Sequence, residues 1–400
     1  FDDAGDLTLQ PGESTLVNVS FAPRTTGAHA ATLEVFHTGL NSPLSIPLSG
    51  TGIDQSQPGV WQTRAPSGPA RQEVAYVQLG NKFYLSGGST AHEVYDPASD
   101  SWANLTSLPE NLDHVQAVAL GGKIYYIGGL ESWPAPASTQ VYIYDPTTNS
   151  FSQGAPMARP RGAGGAAVYQ GKIYYGGGLN SGSAVSWFDV YDPMANTWTP
   201  LPDMPANRDH FHAAVVGNKF YVTAGRDTAI NATVASTITF DFTAGTWQTG
   251  LAPIPTPRGG FGAAVLGTEI LVIGGEGGGN TYSNVEAYDT ATNTWRTLAP
   301  MPTARHGIQA AECNGGVYIA AGGLLQGDGQ PVDAHEVFFL NTPTPCASSP
   351  PPTIGFGKST LQGGSSTHPT SLQFGPDGRL YVAHQTGLIK AYTVVRNGVD

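Results

Sequence analysis

From about residue 74 onward the chain repeats a short alternation of apolar and polar positions, and each run closes on a pair of small residues. The runs are Phe83 to Gly88, Ile124 to Gly129, Ile173 to Gly178, Phe220 to Gly225, Ile270 to Gly275 and Val317 to Gly323. A period of two puts alternate side chains on opposite faces, so each run predicts a half-buried β-strand. A second element follows each run: Tyr95-Asp96, Tyr144-Asp145, Tyr191-Asp192, Phe240-Asp241, Tyr288-Asp289 and a degenerate Phe338-Phe339. A third is an aromatic at Trp102, Phe151, Trp198, Trp247 and Trp295. Six copies result, the last without its third element.

Seven residues separate the Tyr or Phe from the following Trp or Phe in every complete copy, and 27 or 28 separate that aromatic from the next terminal glycine. The gap from terminal glycine to Tyr or Phe runs instead from 7 to 15 residues. Constant spacings mark rigid units, so length variation is confined to one loop per copy. Four strands of roughly 5 to 6 residues with short turns fill each period. They are labelled a to d: strand a contains Gln116 to Leu120 or Ala213 to Val216, the small pair ends b, the Tyr-Asp lies on c and the Trp on d. One such sheet cannot bury both faces, so the copies have to stack or close. The sixth copy decides between these. It runs from strand c into Asn341, Pro343, Pro345 and Cys346, while an orphan Trp61 stands 27 residues before Gly88. The segment around Trp61 is therefore expected to supply the missing d strand and to shut a six-bladed β-propeller over residues 59–342.

Between copies stand Met157 with Arg161, Met204 with Arg208, Ile254 with Arg258 and Met301 with Arg305. With the Gly-Gly strand end, the Tyr-Asp and the Trp, this Met-Pro-x-x-Arg joint makes the pattern resemble the kelch repeat over about 70% of the chain. Departures are Phe151 for one Trp, Ala224 for one Gly, and Asp113 near the second blade's expected Arg.

The flanks read differently. Residues 1–53 carry Leu7-Thr-Leu, Val17 to Phe21, Ala31 to Phe36 and Leu44 to Leu48 between Pro/Gly turns, an alternation typical of antiparallel strands. They are similar to part of a bacterial immunoglobulin-like β-sandwich. Residues 343–368 are rich in Pro, Ser, Gly and Thr and read as linker. In 369–400, Leu372 to Ala383 forms a hairpin on a Pro-Asp-Gly turn, similar to the opening blade of a second, sugar-dehydrogenase-like propeller. The fold class expected is thus all-β: a six-bladed kelch-type β-propeller with a partial β-sandwich before it and a β-hairpin fragment after it.

Composition narrows the partners. With 52 Gly, 31 Pro and 12% charged residues in 400, helical bundles are disfavoured, while 40% hydrophobic residues are too many for a disordered chain. No apolar run approaches the ~18 residues of a membrane span. Eighteen basic against 30 acidic residues give a net charge of −12, the wrong sign for a phosphate backbone, so nucleic acid is excluded. Two cysteines are too few for a disulfide scaffold or a thiolate zinc site. A Cys313–Cys346 bond pinning the last blade and an inert buried Cys313 both stay open. Only 6 of the 18 basic residues are Lys, amid stretches rich in Thr, Ser, Asn and Gly, which suggests a secreted or cell-surface chain.

Alternating strand direction brings the b–c loops and the d–a joints out on one face. The variable loops therefore share a surface with Arg71, Arg161, Arg208, Arg258 and Arg305, where binding on repeat scaffolds concentrates. Two readings of these arginines stay open. Kelch adaptors of ubiquitin ligases hold acidic peptides with arginines at this joint, which the resemblance implies for Arg161 and Arg305. Alternatively the arginines pair with Glu93, Asp189, Glu286 and Glu336 of strand c. Trp133, Trp187 and Tyr282 lie in the b–c loops outside the repeat pattern, free to stack on sugar rings or to pack on a neighbouring blade. Asp227, Glu276, Asp328 and Asp333 share these loops, but calcium spacing from Asp328 is incomplete because Gln330 interrupts it. His114, His210, His212 and His306 fall near equivalent starts of strand a. No carboxylate or Cys stands at ligand spacing from them, so they are expected as partnered polar residues of the channel wall, with no metal and no other cofactor. The Cys–Tyr cross-link of kelch-type galactose oxidases is not reproduced.

The expected function is a non-catalytic, monomeric propeller holding a glycan or protein on this face, within a secreted or surface multidomain bacterial protein. No catalytic residue is assigned. The alternative is a carbohydrate-active kelch enzyme similar to a sialic acid mutarotase, with an Arg/Glu/His group at the same mouth. A structural spacer is the third reading.

Overall fold

The computed structural model describes residues 27–35, 43–52, 58–134, 136–327, 329–341, 343, 346, 369–374, 379–384 and 389–393. Among these, six four-stranded antiparallel sheets follow one another as blades spanning 74–104, 116–153, 165–200, 213–251, 262–297 and 310–339. The sixth has only three strands of its own and takes its fourth, Val60–Thr63, from ahead of the first blade, with Trp61 opposite Phe338. The ring is thus shut as the orphan tryptophan predicts. The a strands form the inner wall, each beside the a strand of the next blade all the way round.

The repeat residues answer contacts between blades. Each strand-d Trp donates its indole N–H to a carbonyl of the preceding joint: Trp61 to Ala299, Trp102 to Ala65, Trp198 to Ala155 and Trp295 to Ala252 at 2.9 Å, and Trp247 to Pro202 at 2.8 Å. Each Tyr of strand c donates to an Asn or Asp five residues on, such as Tyr144 to Asn149 at 2.8 Å, and that side chain accepts a joint N–H, here from Thr106 at 3.0 Å. The small pair is needed because the next blade's joint touches it. A Cβ on Gly128, which sits at φ +62°, would come within 2.2 Å of the Arg161 carbonyl oxygen. In the sixth blade the pair is Ala321–Gly322 rather than Gly322–Gly323: Gly322 N–H donates to Arg71 O as Gly129 N–H does to Arg161 O. Aromatic side chains fill the space between sheets, with Phe83 of blade 1 and Tyr318 of blade 6 at 4.2 Å between ring centroids. Cys313 and Cys346 are bonded, tying the chain beyond the last blade back to its strand a.

Outside the propeller, Gly27–Val35 and Leu44–Gly52 pair as an antiparallel hairpin, Leu33 opposite Ile46. Pro369–Phe374, Arg379–His384 and Ile389–Thr393 form a three-stranded antiparallel sheet, one strand more than the expected hairpin. The strands expected around Leu7 and Val17, and nearly all of the 343–368 linker, lie outside the described residues.

Candidate functional site

The loops and joints of one face enclose a cavity of about 400 Å³ over the central channel, walled by residues from joints before strand a and from b–c loops, among them Arg71, Glu73, His114, Trp133, His210, Arg226 and Glu276. At its base runs a ring of six equivalent positions, one per blade, Glu73, His114, Ala163, His210, Gly260 and Gly307, of which Glu73, His114 and His210 line the cavity. All six have φ between +51° and +64°. Around the ring His114 N–H donates to Glu73 O, Ala163 to His114, His210 to Ala163, Gly260 to His210 and Gly307 to Gly260, at 2.7–3.1 Å. Left-handed backbone suits glycine, and holding a larger side chain there costs on the order of 1 kcal/mol. Three positions keep small residues. The other three carry a carboxylate and two imidazoles, and it is these that meet.

His114 Nε2 stands 2.9 Å from His210 Nε2 and 3.1 Å from Glu73 Oε2. Each imidazole is held from behind by the residue before it: His114 Nδ1 by Asp113 at 2.6 Å and His210 Nδ1 by Asp209 at 2.5 Å. Arg226 donates to His210 Nε2 (2.8 Å), Asp209 (3.1 Å) and Glu276 (2.7 Å). Burial acts to raise the Glu73 carboxyl, but the nearby charges of His114, His306, His210 and Arg226 outweigh it and hold the group down at about 2. For His114, burial is outweighed by Glu73 and Asp113, and its pKa is raised. For His210, burial and then Arg226 and His114 push it well below the usual imidazole range. An imidazolium–carboxylate pair thus stands beside a neutral imidazole, a set able to donate and accept protons within one cavity. Trp133 roofs it, 55% exposed, with its ring 5.3 Å from that of His114 at 27° and the Arg226 guanidinium 5.9 Å from its centroid.

The structure spreads the expected site residues apart. Arg161, Arg208, Arg258 and Arg305 are buried, and their guanidinium groups are spent inside their own blades, so as placed they hold strands rather than face the mouth. Arg161 reaches Asp189 at 2.6 Å, Arg258 pairs with Glu286 and Arg305 with Glu336, while strand-b carbonyls accept their other N–H groups. Arg208 has Ser236 where the others have an acid, and burial pushes its pKa down to about 10. Arg71 borders the cavity but is tied to Glu93 at 2.6 Å. Of the loop aromatics, Trp133 belongs to the cavity. Trp187 lies over Arg159 and Arg161 at 5.4 and 5.8 Å, and Tyr282 covers the Gly277–Gly278 turn.

The sequence puts no carboxylate at ligand spacing from the histidines, and Glu73 reaches them from another blade, beyond any spacing visible along the chain. Asp209 and Arg226 were also missed. A signal was present: the residue after the small pair is a buried Leu in blades 2 and 3 (Leu130, Leu179) but Arg226 and Glu276 in blades 4 and 5, a buried ion pair replacing apolar packing. Asp328 lies outside the described residues.

A family profile described as the KLHDC2/KLHL20/DRC7 Kelch-repeats domain matches residues 55–225 and 202–360. This chain belongs to the kelch-repeat family. Kelch-like protein terF of Aspergillus terreus is 32% identical to it over 284 residues, covering 64% of this chain and 62% of that protein. Human Kelch-like protein 35 is 31% identical over 140 residues, 35% of this chain and 23% of that protein. The kelch region thus spans under two thirds of the first relative and under a quarter of the second. Among solved structures, that of YjhT superimposes with a TM-score of 0.61 at 16% identity, covering 68% of this chain and 96% of that one, a likeness of fold.

Proposed function

We propose that this kelch propeller is a ligand-binding module that holds a small neutral carbohydrate in the mouth cavity. The observation that carries the reading is Trp133, whose large exposed ring forms one wall of a cavity that also presents carboxylates, imidazoles and the guanidinium groups of Arg71 and Arg226. An apolar ring face beside convergent hydrogen-bonding groups is what a sugar requires, and a cavity of about 400 Å³ suits a mono- or disaccharide better than a folded partner's surface. Glu73, Asp113 and Glu276 at the mouth, with Asp209 behind His210, outnumber the Arg226 and His114 cations, which favours a neutral over an anionic sugar. Saturation-transfer NMR against neutral and acidic mono- and disaccharides tests the reading. Binding to a neutral sugar that Trp133→Ala abolishes while Trp187→Ala spares it supports the proposal, and binding indifferent to Trp133 overturns it.

A second reading, an acid–base enzyme on the same sugar, draws on the His114–Glu73 pair. Its mark is accelerated interconversion of sugar anomers, lost in Glu73→Gln while sugar binding persists. The kinship of the flanking strands to an immunoglobulin-like sandwich and a second propeller, and an extracellular setting, belong to the same proposal. The Cys313–Cys346 bond supports an oxidising compartment. The relatives compared are fungal and human, so bacterial origin rests on the flanking pattern alone.

A further inference from the structure

The floor ring places three potential ligands where no sequence motif would. We propose that Glu73, His114 and His210 bind one divalent late first-row metal ion, zinc by preference, through a carboxylate oxygen and two Nε2 atoms, with a fourth position open to the mouth cavity. The inference stands on the floor itself and does not depend on which ligand enters from above.

Four observations carry it. First, the three donor atoms lie within 4.8 Å of one another, with edges of 2.9 and 3.1 Å. A tetrahedral site with bonds of about 2.0–2.1 Å has edges of about 3.3 Å, so small outward shifts suffice. Second, both imidazoles carry the outer partner that metal-binding histidines use. Asp113 and Asp209 engage Nδ1, which holds each ring with its Nε2 turned inward. The two Nε2 atoms are 2.9 Å apart, and the ion would take the place of the His114 proton that lies between them. Third, the three ligands occupy left-handed positions whose counterparts around the ring are Ala163, Gly260 and Gly307, and bulk retained at such positions is a mark of function. Fourth, Glu73, Asp113, Asp209 and Glu276 outnumber the Arg226 cation, so a divalent ion brings the cluster close to neutral. Two imidazoles and one carboxylate with an open position match the donor set of zinc sites that keep a water. Arg226 is the competitor: its Nη2 must release His210 Nε2, while Nε and Nη1 keep Asp209 and Glu276.

The test uses the whole chain without a histidine tag, stripped with chelator and titrated with Co²⁺ and then Zn²⁺. One Co²⁺ per chain is expected, with visible ligand-field bands of a four- or five-coordinate ion that Zn²⁺ displaces. Glu73→Gln and His210→Ala should each weaken binding at least 100-fold, and Asp209→Asn about 10- to 100-fold. His212→Gln, whose ring is satisfied by Gln116 and the Ile308 carbonyl, should leave it unchanged. Circular dichroism melts of the metal-free variants establish that each is folded. If His210→Ala fails to fold, the wild-type spectrum and Glu73→Gln decide. Folded wild-type protein that takes up no stoichiometric Co²⁺ or Zn²⁺ overturns the proposal, as does uptake that survives both Glu73→Gln and His210→Ala.

Discussion

Acid should unfasten the blades through two histidines that have no part in the mouth. His92 and His335 occupy the same place in blades 1 and 6, each just before the acid of strand c. His92 Nδ1 faces the Thr106 carbonyl at 3.0 Å and Nε2 the Tyr126 hydroxyl at 2.9 Å. His335 faces the Ala65 carbonyl at 3.2 Å and the Tyr76 hydroxyl at 3.1 Å. Tyr144 stands edge-on to His92 at 4.5 Å, and Tyr95 to His335 at 4.3 Å. A neutral ring is satisfied in this cage and a charged one is stranded, so burial drives His92 down to about 4 and His335 to about 3. Above pH 6.5 neither fold nor unfolded chain carries the proton, and these groups add no pH dependence. Below it the unfolded chain takes up protons that the fold refuses, and stability falls by about 1.4 kcal/mol per pH unit for each histidine. Down to pH 4 the pair removes on the order of 7 kcal/mol, comparable with the whole stability of an ordinary domain. Urea unfolding at fixed pH between 7.5 and 4 measures this, with a constant m-value as the check on the transition. The double variant His92→Asn/His335→Asn should flatten the slope by about 2.7 kcal/mol per pH unit. Equal free energies at pH 7 and 4.5, or an undiminished slope in the double variant, would refute the reasoning.

Other perturbations have signs that differ with the contact removed. Trp61→Ala deletes the indole bond to Ala299 and the Phe338 contact that shut the ring, and should cost about 3 kcal/mol, while Trp61→Phe keeps the packing and costs about 1 kcal/mol; calorimetry of both separates ring closure from bulk. Cys313→Ser opens a bond spanning 33 residues, so the unreduced wild type should exceed it by about 3–4 kcal/mol in a denaturant titration, and reductant should erase the difference. Glu286→Ala strands the buried Arg258 cation and should cost about 3–5 kcal/mol, whereas Arg258→Met/Glu286→Leu together should regain most of it. His114, whose pKa is raised, acts opposite to His92: the stability it adds is full below pH 6.5 and fades as pH climbs through its folded value, so Glu73→Gln should weaken the fold more at pH 6 than at pH 9.

The architecture could be read along the chain because each marker residue meets one physical demand many times over. Trp is kept where an indole N–H must reach the preceding joint, and Gly128 where a Cβ has no room. Such demands impose constant spacing, and spacing survives where identity drifts, as at Phe151. The Asn or Asp five residues beyond the strand-c Tyr was equally regular, at Asp100, Asn149, Asn196 and Asn293, and went unread. The mouth face followed from strand alternation, and Trp133 stood out because no blade contact required it. The floor did not follow, for the opposite reason. Glu73, His114 and His210 come from three blades, at separations unrelated to any local motif, and only ring closure makes them neighbours. Of the two readings open for the joint arginines, the geometry displays the pairing within the blade, Arg71 with Glu93, Arg161 with Asp189, Arg258 with Glu286 and Arg305 with Glu336.

A crystal structure of the whole chain soaked or grown with the sugar that binds best would test the central claim most directly. The account predicts a pyranose ring lying against the Trp133 indole, with its hydroxyls within hydrogen-bond distance of Glu73, His114 or Arg226. Density on the outer strand-d edge or on the opposite face of the disc, with the mouth empty, would contradict it.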